Sequence, residues 1–136
     1  MSEESLAVQK LIVARLKASA PLLALVPASK ILDQQALPDV FPCILIGEAQ
    51  TVGDDVDCGP LSEVFSTIHV WSRDVGMVEA KRIAGAIRRA LWDAEDTLDG
   101  FEIGGTFFED MRFMRDPDGK SAHGVITFKS LVGGID

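Results

Sequence analysis

The sequence predicts an α+β fold: a mainly antiparallel β-sheet with two principal α-helices packed on it and a long β-hairpin. Three observations predict it. Two segments, near the start and in the middle, carry apolar residues at helical spacing, and four runs alternate or are rich in β-branched and aromatic residues. Their order along the chain is helix, strands, helix, strands, which suits helices laid on an antiparallel sheet. The 136 residues contain no repeat, no low-complexity tract and no internal linker, so residues 1–136 are expected to form a single domain.

The opening helix begins with Glu3 and Glu4, acids suited to the positive end of a helix dipole, with Ser2 as its expected cap. Val8, Ile12 and Leu16 form one stripe, flanked by Leu6, Val13 and Ala20. Pro21 disfavours helical geometry at Ala20, which predicts a stop near Ser19 and a short extra turn in "PLLALV". "KILD" reads as a short strand. "CILIGEAQTV" and "LSEVFSTIHVW" (61–71) read as the two arms of a hairpin, joined by the acidic, glycine-bounded "GDDVDCGP". That connection is longer than the usual two to five residues.

In the second arm, Val64, Ile68 and Val70 share one face, and Phe65, His69 and Trp71 share the other. A sheet with one wet face should alternate apolar and polar, so apolar residues on both faces near this strand's end call for a cover; a neighbouring subunit is the natural one, and a long loop of the same chain is the alternative. A helix is predicted over roughly 76–95. Its Ala80, Ile83, Ala84, Ile87, Leu91 and Ala94 fall on one side, and Lys81, Arg82, Arg88 and Arg89 on the other. Residues 97–105 read as a turn region. "TFFEDMRFMR" and "HGVITFKSLV" read as closing strands joined by the turn "DPDGKSA".

Composition narrows the function. The net charge of −8 argues against a main task of gripping nucleic-acid phosphates, which needs clustered cations. An acidic wall would still let DNA slide past without adhering. No apolar run approaches the ~20 residues that cross a bilayer, and the acidic start lacks the layout of a secretory signal. Cys43 and Cys58 have no metal-site spacing and read as free thiols.

The stretch "HVWSRD" holds His69, Ser72 and Asp74, the three residue types of a hydrolase triad. On one strand, however, His69 and Ser72 point to opposite faces and lie roughly 10 Å apart. A nucleophile and its base must be within hydrogen-bond reach, and no G-x-S-x-G elbow surrounds Ser72. Ser72 or Asp74 is better read as a cap for the following helix. His69 and His123 lack the i, i+4 pairing of a helical zinc site, and Asp54, Asp55 and Asp57 match no EF-hand loop. No catalytic, metal or cofactor-binding residue is therefore assigned.

"HVWSRDVGMVEAKRIAGAIRRAL", preceded by "FPCILIGE" and followed by "RDPDGKSAHGVITF", resembles the tail-completion, or tail-terminator, family of long-tailed bacteriophages, prophages and gene transfer agents. The resemblance runs over nearly the whole chain in the same order, with Cys43 standing where an aromatic residue is frequent. It implies a non-enzymatic virion protein of the tail-neck region. Such a protein forms a hexameric ring at the head-proximal end of the tail tube, stops tube growth and joins tail to head, with DNA in transit through the lumen. The partners implied are further copies of the chain, the major tail tube protein and the head-completion or stopper protein. A heterologous contact whose rotation closes would build such a ring.

The residues expected at subunit contacts are Phe65, His69 and Trp71, with Asp54, Asp55, Asp57, Arg82, Arg88 and Arg89 as charged candidates. Two other readings compete. One places the chain as a head-side stopper or adaptor of the same neck, separable by pull-down against tube and portal-side proteins. The other is a small cytoplasmic enzyme with a carboxylate-lined site of Asp54, Asp55, Asp57 and His123, which would show metal uptake or an activity that Asp57→Asn abolishes.

Overall fold

The computed structural model describes residues 3–33, 41–55, 60–73, 76–117 and 119–134. Helix α1 (Glu4–Lys17) starts at Glu3, whose carboxylate accepts from the Ser5 backbone N–H, and the expected cap Ser2 lies outside the described residues. Glu3 also accepts from the Thr51 hydroxyl at 3.2 Å, which ties the helix start to the sheet. Ser19 caps the single turn α2 (Ala20–Leu23), with its Oγ accepting from Leu22 N. Thus Pro21 redirects the chain as expected, because it can occupy a first helical turn but not a helix interior.

Among the described residues the sheet has six strands: β1 (Ile31–Leu32), β2 (Cys43–Gly53), β3 (Leu61–Ser72), β4 (Asp96–Leu98), β5 (Phe101–Arg115) and β6 (Ala122–Gly134). Their order across the sheet is β1-β2-β3-β6-β5-β4. Only β1 and β2 run parallel; every other neighbouring pair is antiparallel. The central ladder is unbroken, from Leu61 opposite Gly133 to Ser72 opposite Ala122. β2 shifts register between Ile46 and Ala49, and β5 shifts twice, between Ile103 and Gly105 and between Phe108 and Asp110. Such bulges bend and twist a strand locally.

The core lies between one face of this sheet and α1 with α3 (Val78–Ala90). Ala7, Val8, Leu11, Ile12 and Leu16 of α1 are buried, as are Ala80, Ile83, Ala84 and Ile87 of α3. They meet Ile44, Ile46, Val64, Ile68, Val70, Ile126 and Phe128 from the strands. Polar side chains on this inner face are satisfied in place. Ser62 donates to Glu4 at 3.3 Å, Ser72 donates to Glu79 at 2.6 Å, and Thr106 and Ser130 bond across strands at 3.0 Å.

Three local expectations change. α3 spans Val78–Ala90, shorter than 76–95, and its first residue follows Met77, which makes no side-chain cap. Ser72 is therefore not the N-cap; it holds the helix through Glu79 in the first turn, while Asp74 lies outside the described residues. The region read as a turn over 97–105 is mostly strand. Leu98 pairs with Phe101, and the two residues between them, Asp99 (φ 54°) and Gly100 (φ 82°), turn the chain in two steps. Positive φ at both central residues is what a type I′ hairpin turn requires, and Asp-Gly is a preferred pair for it. Lys10 of α1 clamps this turn through Asp99 at 2.6 Å, and Arg15 donates to the Glu95 carbonyl at 2.9 Å.

Because Phe128 is 1 % exposed beneath the helices, Phe128→Ala should cost about 3–5 kcal/mol of unfolding free energy. Phe65→Ala, on the half-buried opposite face, should cost less than half as much in the isolated chain; urea titration of both variants measures the contrast.

Candidate functional site

The face of the sheet turned away from the helices carries Phe65, His69 and Trp71 of β3, all half-buried and all on that one side, as the alternation of the strand demands. Cys43 and Leu45 of β2 sit opposite Trp71 and His69, and His123 and Val125 of β6 flank them on the other side. His123 lies flat on Trp71, with ring centroids 3.9 Å apart and planes 10° from parallel. Its Nε2 is 2.8 Å from His69 Nδ1, and His69 Nε2 is 2.8 Å from Glu48 Oε1. An ionised carboxylate only accepts, so a neutral His69 donates from Nε2 to Glu48 and accepts at Nδ1 from His123. With His69 neutral, the donors run from His123 to His69 to Glu48.

The bulge in β2 makes this array possible. It places Glu48 beside His69, and Gly47 leaves room for the imidazole: a Cβ there would stand 2.6 Å from His69 Cδ2. The hydrogen bond from His69 holds the Glu48 carboxyl below its usual range. Burial, together with the nearby His69, lowers the pKa of His123, against the weaker opposing pull of Asp116 and Glu48.

The two acids of the hairpin end that can be placed, Asp54 and Asp55, are exposed. Asp54 N donates to the Leu61 carbonyl at 2.7 Å, and Asp55 Oδ1 accepts from Leu61 N at 3.0 Å. Asp55 thus closes the hairpin as well as charging it. Asp57 lies outside the described residues. His123 is opposite Trp71, ten residues along β3 from Leu61, a distance of roughly 30 Å at ~3.3 Å per residue. The carboxylate site of Asp54, Asp55 and His123 considered from the sequence therefore does not assemble. Among the described residues no three His, Cys, Asp or Glu side chains gather as a metal ion needs, and no helix is long and apolar enough to cross a membrane.

Arg82, Arg88 and Arg89 are exposed on α3, in the helix layer, and form no ion pair among the described residues. Arg88 lies over the Phe108 ring at 4.1 Å and Lys81 over Phe113 at 5.7 Å. Between α3 and β5 run two adjoining hollows of about 450 and 490 Å³, which share Arg88 and Trp92. Trp92, 72 % exposed, and Phe107, 45 % exposed, are missing from the sequence-based candidates. A signal for Trp92 exists in its spacing: within the helix predicted over 76–95 it falls four residues after Arg88, on the polar side, although α3 itself ends at Ala90. The predicted residues thus occupy three separate surfaces: the aromatic trio on the sheet, the acids at the hairpin end, and the arginines beside the groove.

The histidine array has a pH signature. With its folded pKa depressed, His123 binds fewer protons in the native than in the unfolded chain. Its contribution therefore makes stability fall as pH drops below ~6.5. Glu48, with a lowered carboxyl pKa, adds a second loss as pH falls below its ordinary carboxylate range. Unfolding midpoints across pH should show both limbs, and His123→Gln should flatten the upper one.

Residues 10–133 match the family described as Tail completion protein gp17. No curated protein sequence matches the chain. Among solved structures, it is similar to a chain of the virion of a native gene transfer agent particle. The TM-score is 0.88 at 22% identity, covering 98% of this chain and 100% of that one. It is also similar to the gp17 protein of bacteriophage SPP1, with a TM-score of 0.58 at 22% identity over 97% of this chain and 91% of that one. Such identities speak for the fold alone, but the family match covers most of the sequence: this chain belongs to the tail completion protein gp17 family.

Proposed function

We propose that this tail completion protein is a structural component of a phage or phage-like virion. In this reading it forms a ring, six copies in number, at the head-proximal end of the tail tube. There it ends tube growth, joins the tail to the head and lets DNA pass through its lumen. The observation that carries the reading is the family match over residues 10–133. The likeness to a chain of a gene transfer agent virion, over 98% of this chain and 100% of that one, agrees with it.

The molecule's own surfaces support assembly over catalysis. The helices cover one face of the sheet, while Phe65, His69 and Trp71 stand half-buried on the other, available to a neighbour. In the ring they would be covered by the next copy, with the tube protein on one axial side and a head-side stopper on the other. A subunit of net charge −8, repeated around a channel, presents phosphates with repulsion instead of a binding surface.

Light scattering and negative-stain images of the purified chain, alone and with tail tubes, test this directly. The expected result is a ring, free or seated on tube ends, that halts further tube addition. A strictly monomeric protein that also ignores tubes overturns the proposal, and capture by the portal-side protein in place of the tube moves it to the stopper position. Trp71→Asp should lower ring formation at least tenfold in midpoint concentration while leaving the circular dichroism spectrum unchanged.

A further inference from the structure

The basic groove between α3 and β5 has the chemistry of a socket. Its floor and walls are apolar and aromatic, with Phe107, Phe108, Met111, Phe113 and Trp92 lining the two hollows. Its rim is mainly cationic: Lys81, Arg88 and Arg89 line it, with Asp93 the one acid beside Arg88, and none of these three cations forms an ion pair among the described residues. On a chain with 21 acids and 13 bases, these three cations are left without a described counter-charge in contact. An acidic partner supplies one.

The plug that fits is on the same molecule, out of its own reach. At the hairpin end, Val52 and Leu61 are exposed aliphatics, 38 % and 37 % accessible, and the exposed Asp54 lies beside them. Acid-flanked aliphatics thus match a cation-rimmed aromatic groove in both polarity and sign. The two features also sit towards opposite margins of the sheet: the hairpin is made by β2 and β3 and the groove by β5 under α3, on the other side of β6. A patch at one margin of a copy can meet the different patch at the other margin of the next, which is a heterologous contact. Repeated head to tail, such a contact closes a ring when the rotation allows.

We infer that the hairpin end around Val52, Asp54 and Leu61 of one copy docks into the α3–β5 groove of the next, with Arg88 and Arg89 meeting its acids and Trp92 covering its aliphatics. This rests on the ring reading above and supplies its lateral contact.

Two full-length variants test it, Asp54→Arg and the double change Arg88→Glu with Arg89→Glu, each checked by circular dichroism. Asp55 is left intact because it closes the hairpin. Each variant alone should lose assembly by at least tenfold in midpoint concentration, on its own or on tube ends. Mixed in equal amounts they should recover it, because an alternating ring pairs each native hairpin with a native groove and each reversed hairpin with a reversed groove. If both variants assemble as the unmodified chain does, the ring stands and this contact is wrong. If the arginine variant alone fails and mixing does not rescue it, or if it forms rings that no longer seat on tubes, the groove serves another partner and the inference falls. If the unmodified chain neither assembles nor caps tubes, the ring reading itself fails and takes the contact with it.

Discussion

The burial of one face of a single sheet under two helices is the constraint on which everything else depends. Ile68, Ile126 and Phe128 must be kept from water, and α1 and α3 bring Leu11, Ile12, Ile83 and Ile87 to them. Such apolar burial supplies most of the driving force for folding a chain of this size. With both helices committed to that side, Cys43 and Leu45 on the other face are still buried within the chain, while Phe65, His69 and Trp71 beside them stay only half-buried. The asymmetry makes a stable subunit that is chemically incomplete on its surface, which is what an assembly component needs.

The part of the fold carried by periodicity was legible in the sequence. β3 alternates over its whole length, so the faces of Val64 and Phe65 follow from the pleat alone. The stripe of small and branched residues on α3 likewise predicts the buried side that includes Ala84 and Ile87. Where reading failed, local chemistry competed with pattern. Thr97–Gly105 is rich in turn-forming residues, yet Asp99 and Gly100 take up the whole reversal and release the flanking residues into β4 and β5. Ser72 has the chemistry of a helix cap, but it lies buried on the inner face and reaches a helical glutamate instead.

The candidate site was legible as a list and not as an arrangement. Phe65, His69 and Trp71 share a face because the strand dictates it, but Glu48 enters only through a bulge that no simple alternation predicts. Gly47 carries the explanation: the absence of a side chain there is what admits the His69 ring. The groove beside α3 was invisible for a different reason. It is formed by a helix and a strand some twenty residues apart, and their meeting depends on β5 being long and twice bulged.

The margins of the sheet have a consequence for life before assembly. β1 pairs with only Ile44 and Leu45 of β2, and β4 with only three residues of β5, so much of each long outer strand has no described neighbour on that side. Both are broken by bulges, and β5 carries Glu109, Asp110, Arg112 and Arg115 along the stretch beyond β4. Irregular, charged rims are poor templates for adding another chain's backbone. Backbone-to-backbone stacking of copies into fibres is therefore disfavoured, which leaves contact between copies to side chains.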